Sequence, residues 1–191
     1  MIFELLIELD SLEPRVWRRV RVNSDIDMRT LHHTIQLAMG WENCHLYYFA
    51  TADEKISQLE FLEDEDFVED HEVNLDEFVQ STGDRINYVY DFGDKWSHTI
   101  TLEKIVENDE SEHIPICLAG ERNCPPEDVG GINGYHEFLN IMSNPRLPEY
   151  EEKVDWYGGE YDPALFRMSV INEDLEEIDD YIDSLDEDWL Y

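Results

Sequence analysis

Two segments carry the side chains that could do chemistry. The run YDFGDKWSH holds Asp91, Asp94 and His98, and the stretch 119–135, AGERNCPPEDVGGINGY, holds Arg122, Cys124, Glu127 and Asp128, with Cys117 just ahead of it. Carboxylates beside a histidine suit general acid–base work or a hard divalent cation, and a thiolate with an imidazole suits zinc. A metal-assisted hydrolase or nuclease-like enzyme would draw its catalytic groups from Asp91, Asp94, His98, Glu127 and Asp128. Its metal ligands would come from His98, Cys124 and Asp128.

Each of these residues also has a plainer role. Alternation puts His98 on the apolar face of its strand, the place of a hydrogen-bonded core histidine, and Asp91 on the opposite face, out of reach of a cross-strand pair with it. Asp94 sits in a turn, where its side chain can accept from backbone amides. Six residues separate Cys117 from Cys124, wider than a zinc knuckle, and no second C-x-x-C occurs. Gly130-Gly131 ahead of a helix could cradle an anion, but Glu127 and Asp128 precede it and no Lys-Ser/Thr pair follows, so those carboxylates read better as partners for the amides of a glycine-rich turn. His32, His33, Cys44 and His45 stand isolated and read as structural. No G-x-S-x-G, H-E-x-x-H, Walker or Rossmann fingerprint is present.

The elements that must position these groups follow from periodicity. Residues 2–9 alternate as a strand, and residues 15–22 alternate again after Pro14, making a hairpin. Met28, Leu31, Ile35 and Ala38 recur at helical spacing from Asp27 to a stop at Gly40, which predicts a helix over 28–39. HLYYFATA (45–52) reads as a short aromatic strand, and the carboxylate-rich run 60–72 as a surface excursion. Residues 85–105 form the clearest hairpin. A three-residue loop, Gly93-Asp94-Lys95, would pair Phe92 with Trp96, Tyr90 with His98, Tyr88 with Ile100 and Ile86 with Leu102. After a polar loop at 107–113 and the cysteine-bearing stretch, Asn133 is placed to cap a helix carrying Tyr135, Phe138, Leu139 and Met142, ended by Asn144-Pro145. The tail sets Ile171, Leu175, Ile178, Ile182, Leu185 and Trp189 on one face of an amphipathic helix, which either docks on its own domain or is offered to a partner. Hairpins without βαβ regularity imply an α+β fold, a single domain with a mainly antiparallel sheet packed with several helices.

Composition narrows the partners. The chain has 191 residues, 42% hydrophobic and 12% aromatic, enough for a packed core without disulfides or structural metal. Against 13 basic residues stand 47 acidic ones, a formal charge of −34, which repels phosphate backbones and anionic membranes. Direct nucleic-acid binding is disfavoured, and a basic protein partner, bound cations or high salt are compatible. Five of the 13 basic residues fall within 15–29, where Arg18, Arg19 and Arg21 have abundant carboxylates to pair with. The N-terminus lacks the pattern of a signal peptide, no run approaches about 18 consecutive apolar residues, and the odd number of cysteines, three, suits free thiols. A cytoplasmic protein is expected.

The segments PRVWRRVRV, LHHTIQLAMGW with HLYYF, YDFGDKWSHTITLEK and AGERNCPPEDVGGINGYHEFL together resemble the plasmid Ri open-reading-frame-three-like family, insertion-sequence passengers loosely called resolvase-like. The resemblance runs from about Phe3 to Phe166 and implies one mixed α and β domain over 1–168, with the acidic helix 169–191 outside it. It implies no established reaction. A resolvase needs a serine nucleophile among arginines and a basic DNA-binding segment, and neither arrangement is present. Some relatives are expected to carry a second cysteine where this chain has Val129, the lack of which weakens a thiolate-metal reading at Cys124. The expectation is a binding or interaction module without a cofactor and, more so than not, without catalytic activity. The alternatives are the metal-assisted enzyme with a divalent cation, and an acidic DNA mimic.

Overall fold

The alternating runs IFELLIEL and WRRVRVN form β1 (Ile2–Leu9) and β2 (Trp17–Asn23), antiparallel with Leu5 opposite Val20. The structure, a computed structural model, describes residues 1–58, 67–107 and 113–188, with side chains to 185. Six further strands complete the sheet: β3 (Tyr47–Ala50), β4 (Lys55–Ser57), β5 (Phe67–Glu69), β6 (Arg85–Tyr90), β7 (Trp96–Val106) and β8 (Ile116–Glu121). Their order is β5-β4-β3-β6-β7-β1-β2-β8, and among the described residues only β4 and β5 run parallel. This is the expected α+β fold with a mainly antiparallel sheet.

One face of the sheet is apolar, with Leu5, Ile7, Val20, Tyr88 and Ile100 all buried in the core. The helix α1 (Met28–Met39) lies against it, bounded as the spacing predicts. The Asp27 carboxylate accepts from Thr30 N at 2.8 Å, and Gly40 ends the helix at φ 83°, a left-handed conformation that glycine adopts without a Cβ penalty. The opposite face is charged. Glu4 is bonded by Lys104 at 2.8 Å and Arg21 at 3.3 Å, and Arg19 by Glu103 at 2.6 Å. Burial alone would raise the Glu4 carboxyl, but Lys104 and Arg21 more than reverse it and hold it below its usual range. Arg18 departs from this pairing. Period two puts it on the core face, 3% exposed, where it donates to the carbonyls of Ala38 at 2.8 Å and Glu121 at 3.1 Å and lies over the Phe166 ring.

Three expectations need correcting. In the β6–β7 hairpin Tyr90 pairs with Trp96, Tyr88 with His98 and Ile86 with Ile100, a register two residues from the predicted one. The loop spans 91–95 rather than three residues. Asp91 leaves the strand at φ 58°, its Oδ1 accepts from Gly93 N at 2.8 Å, and its carbonyl accepts from Lys95 N at 2.7 Å. A shift of two keeps the parity, so Ile86, Tyr88, Tyr90, Trp96, His98 and Ile100 still face the core, whereas Phe92, expected on that face, lies in the loop and is exposed. Second, α2 (Gly131–Met142) begins before Asn133, with Gly130 as its cap. The acceptor for Gly130 N is Asp94 Oδ2 at 3.0 Å, supplied by the hairpin loop rather than by a local capping side chain.

Third, the tail is two helices. α4 (Met168–Glu176) ends where Glu177 leaves helical geometry, and α5 (Ile178–Asp188) follows. Ile171, Leu175 and Ile178 are buried against the body of the domain. Asn172 bridges the outer edge of β8, accepting from Cys117 N at 2.7 Å and donating to Cys117 O at 3.1 Å. A further helix, α3 (Tyr150–Tyr157), lies where no element was predicted. Within the acidic excursion, 67–69 is a strand and 70–72 a 3₁₀ turn, while 60–66, most of the polar loop 107–113 and Trp189 lie outside the described residues.

Candidate metal centre

Three separate segments bring their side chains to one point beside His45. The first is the connection 41–46 between α1 and β3, which carries Cys44 and His45. Because β3 pairs antiparallel with β6, with Tyr47 opposite Tyr90, the residues entering β3 lie beside those leaving β6. Asp91 N donates to Leu46 O at 2.9 Å, and Asp91 is thereby set next to His45. The third segment is 123–129, between β8 and α2. Trp41 Nε1 donates to Pro125 O at 3.0 Å, which ties this stretch to the α1–β3 connection and presents Glu127 and Asp128.

His45 Nε2 stands 3.1 Å from Asp128 Oδ1, 3.6 Å from Glu127 Oε2 and 3.8 Å from Asp91 Oδ2. Bonds of about 2.0–2.2 Å from a cation to nitrogen and oxygen set neighbouring ligand atoms about 3.0–3.5 Å apart; the Asp128 contact falls in that range and the other two lie slightly beyond it. The ligand atoms of His45, Asp91 and Asp128 are all within 4.8 Å of one another, as are those of Cys44, His45 and Glu127. His45 Nε2 and Glu127 Oε2 are both shielded from solvent and make no aligned hydrogen bond, a costly state for polar atoms unless something joins them. Among the described residues no Lys or Arg forms an ion pair with Asp91, Glu127 or Asp128, so three carboxylates face one imidazole. Asp91 and Asp128 both hold positive φ, 58° and 54°, a sparsely populated region for residues other than glycine.

The orientation of Glu127 is fixed from behind. Its Oε1 accepts from Glu42 N at 2.9 Å and from the Tyr90 hydroxyl at 3.0 Å, leaving Oε2 toward His45. Tyr90 accepts in turn from Cys44 N at 3.0 Å and stacks on Trp41. Burial and the neighbouring Glu127 carboxylate push the Tyr90 hydroxyl well above its ordinary value, so it is a donor at any working pH. Cys44 Sγ lies within 4.8 Å of the ligand atoms of His45 and Glu127. Burial, then Glu127, raises its thiol, and it remains protonated unless a cation intervenes.

Of the residues singled out by sequence, Asp91, Glu127 and Asp128 come together here, and Asp94, His98 and Cys124 do not. Asp94 locks the hairpin loop to the start of α2; a Cβ on Gly131 would stand 2.7 Å from Asp94 O, so glycine is required at that crossing. His98 is 0% exposed, edge-on to Trp41 and tilted against Tyr88, each at 5.3 Å. Burial lowers its pKa to about 4, against a weaker opposing pull from the backbone of Tyr88 and Trp96, neither of which makes an aligned hydrogen bond to the ring. Cys124 Sγ contacts Met39 Sδ at 3.2 Å and accepts from Arg18 Nη2 at 3.3 Å. Burial raises its thiol while Arg18 pulls it down. The centre's imidazole is His45, which looks isolated in sequence. The signal that could have found it is the β3–β6 pairing, which forces His45 beside Asp91.

A second group, Glu69, Asp70 and His71, also clusters. There Asp70 is wholly buried and bonded by the Tyr47 hydroxyl; burial raises its carboxyl and the Tyr47 bond partly offsets this, and the bond ties Asp70 to β3 as a structural group.

Two clefts meet at the His45 centre. One, of about 250 Å³, has Cys44 and His45 in its wall. The other, of about 480 Å³, has Glu42, Glu127 and Asp128 in its wall and the exposed Trp156 and Tyr157 at its side. Among the described residues no helix is long and apolar enough to cross a membrane.

The family model described as plasmid pRiA4b ORF-3-like protein matches residues 1–170. An uncharacterized protein, y4hQ, of Sinorhizobium fredii (strain NBRC 101917 / NGR234) is 37% identical over 183 residues, covering 93% of this chain and 92% of its own. The crystal structure of a protein of unknown function, MM3350, from Methanosarcina mazei Go1 superposes with a TM-score of 0.80 at 32% identity, over 88% of this chain and 96% of that one.

Proposed function

The chain belongs to the plasmid pRiA4b ORF-3-like protein family, and we propose that it binds a divalent transition-metal ion at His45, Asp91 and Asp128, with Glu127 beside them, and uses it for hydrolysis in the cytoplasm. The observation that carries this reading is the placing of three carboxylate oxygens 3.1–3.8 Å from one imidazole nitrogen, by three segments distant in sequence. One nitrogen with several oxygens suits Mn²⁺, Fe²⁺ or Zn²⁺ rather than a thiolate-preferring ion. An ion so held would supply Lewis acidity for activating a water, and Asp128, 71% exposed at its side chain, is the ligand most open to solvent. Three free thiols support a reducing compartment.

Equilibrium dialysis against Mn²⁺ or Zn²⁺, with the metal counted by mass spectrometry, tests the proposal. One ion per wild-type chain and a loss of binding in His45→Ala are expected. Equal binding by the two proteins would contradict it.

A further inference from the structure

His45 belongs to two groups of possible ligands at once. In one its partners are Asp91 and Asp128, in the other Cys44 and Glu127, and within each group the ligand atoms lie within 4.8 Å of one another. The first group offers a nitrogen and two carboxylates, the second a sulfur, a nitrogen and one carboxylate. These sets prefer different ions: carboxylates and water suit Mn²⁺, whereas a thiolate beside an imidazole suits Zn²⁺.

The segment that carries Cys44 is fixed at each step. Glu42 N donates to Glu127 Oε1 at 2.9 Å. Asn43 stands at φ 55°, a left-handed conformation that asparagine tolerates better than most residues, and its Oδ1 accepts from His32 Nε2 at 2.7 Å. Cys44 N then donates to the Tyr90 hydroxyl at 3.0 Å, and that hydroxyl donates to Glu127 Oε1 at 3.0 Å. One tyrosine therefore holds both the backbone that bears the thiol and the carboxylate that lies near it. His45 Nε2 and Glu127 Oε2, the other two ligand atoms of this group, are shielded from solvent without an aligned hydrogen bond.

Cys44 also differs from the other two cysteines. Cys117 and Cys124 are buried, and Cys44 is exposed. Cys117 Sγ donates to Ala119 O at 3.5 Å, and Cys124 Sγ lies against Met39 and Arg18, so both are taken up by the fold. Cys44 borders the smaller cleft, where an ion arriving from solvent meets it.

Resting on the metal reading above, we infer that Cys44 is the residue that sets the metal preference of the His45 centre. Zn²⁺ takes the sulfur of Cys44 with His45 and Glu127, three protein ligands with a fourth position open to water, the composition of a catalytic zinc site. The thiol gives its proton to solvent as the Zn–S bond forms. Mn²⁺ takes His45, Asp91 and Asp128 and completes its shell with water. Glu127, which lies beside the oxygen set, is thereby a ligand of the second.

The test titrates the reduced full chain with Co²⁺, a coloured stand-in for Zn²⁺, and reads thiolate-to-cobalt charge-transfer absorption in the near ultraviolet. Zn²⁺ and Mn²⁺ affinities are then measured by calorimetry on wild type, Cys44→Ser and Asp128→Asn. The expected result is a charge-transfer band that saturates at one equivalent in the wild type and is lost in Cys44→Ser. That variant should bind Zn²⁺ at least about tenfold more weakly and Mn²⁺ within about twofold of wild type. Asp128→Asn should weaken Mn²⁺ binding and keep the band. Co²⁺ bound without the band, or equal Zn²⁺ affinity in wild type and Cys44→Ser, would overturn the inference and leave the oxygen set standing. A Cys44-dependent band with Mn²⁺ affinity unmoved by Asp128→Asn would instead remove the oxygen set and keep the thiolate one. No ion bound at all removes both.

Discussion

His45 lies beside the β6–β7 hairpin and His98 within it, and the two differ in everything that matters for function. His98 lies near the start of β7, wholly buried against Trp41 and Tyr88, and among the described residues it makes no ion pair with a carboxylate. His45 lies in a connection, with three carboxylate oxygens within 3.8 Å of one nitrogen. A strand position surrounded by sheet neighbours and a covering helix gives an imidazole aromatic packing. A loop position where three chain crossings meet gives it charged partners. The difference teaches that the histidine in the most regular sequence pattern is the structural one.

Replacing each in turn should separate them most strongly. His45→Ala should weaken Mn²⁺ or Zn²⁺ binding on the order of 100-fold or more, since even partners outside the ligand shell are worth about 10–100-fold. His98→Ala should leave metal affinity within about twofold while lowering the unfolding midpoint, because it opens a cavity in the core. Titration calorimetry and urea unfolding on the same two variants check both halves.

The next contrast is in pH. His98 has a folded pKa of about 4 against an ordinary 6.5, so the unfolded chain takes up the proton first. The stability contributed by its neutral form is present above pH 6.5, is lost as pH falls from 6.5 toward 4, and changes no further below that. The loss is on the order of 3 kcal/mol. Chemical denaturation at pH 7 and pH 4.5 should show a larger drop for the wild type than for His98→Phe.

Much of this architecture was legible in the chain. Period two in β1 and β2, and the Asp27 and Gly40 boundaries of α1, are local facts that local patterns record. The hairpin's faces were legible and its register was not, because Asp91 turns out of the strand through its own side-chain bond to Gly93, and nothing in alternation distinguishes a three-residue from a five-residue loop. The start of α2 escaped for a related reason: the acceptor for Gly130 N comes from Asp94, across the molecule. At the site, Asp91, Glu127 and Asp128 stood out by type, but the group that joins them did not. His45 meets Asp91 only through the β3–β6 pairing, a long-range contact that sequence spacing does not carry.

Smaller changes sharpen the comparison further. Tyr90→Phe removes the hydroxyl that orients Glu127 and should cut metal affinity about tenfold, while the fold, which keeps the stacked ring against Trp41, loses about 1 kcal/mol. Asp94→Ala should cost about 1 kcal/mol of stability through the lost bond to Gly130 N and change metal affinity only a few-fold; unfolding curves and calorimetry read both. A large loss of metal binding in Asp94→Ala would move Asp94 from the scaffold into the centre.

The most direct measurement is histidine ring NMR on the full chain during a Zn²⁺ titration. The His45 ring signals should shift to a bound set once one equivalent is added, while the His98 signals stay where they are. Unmoved His45 signals at saturating Zn²⁺, or equal movement of both rings, would contradict a metal centre at His45.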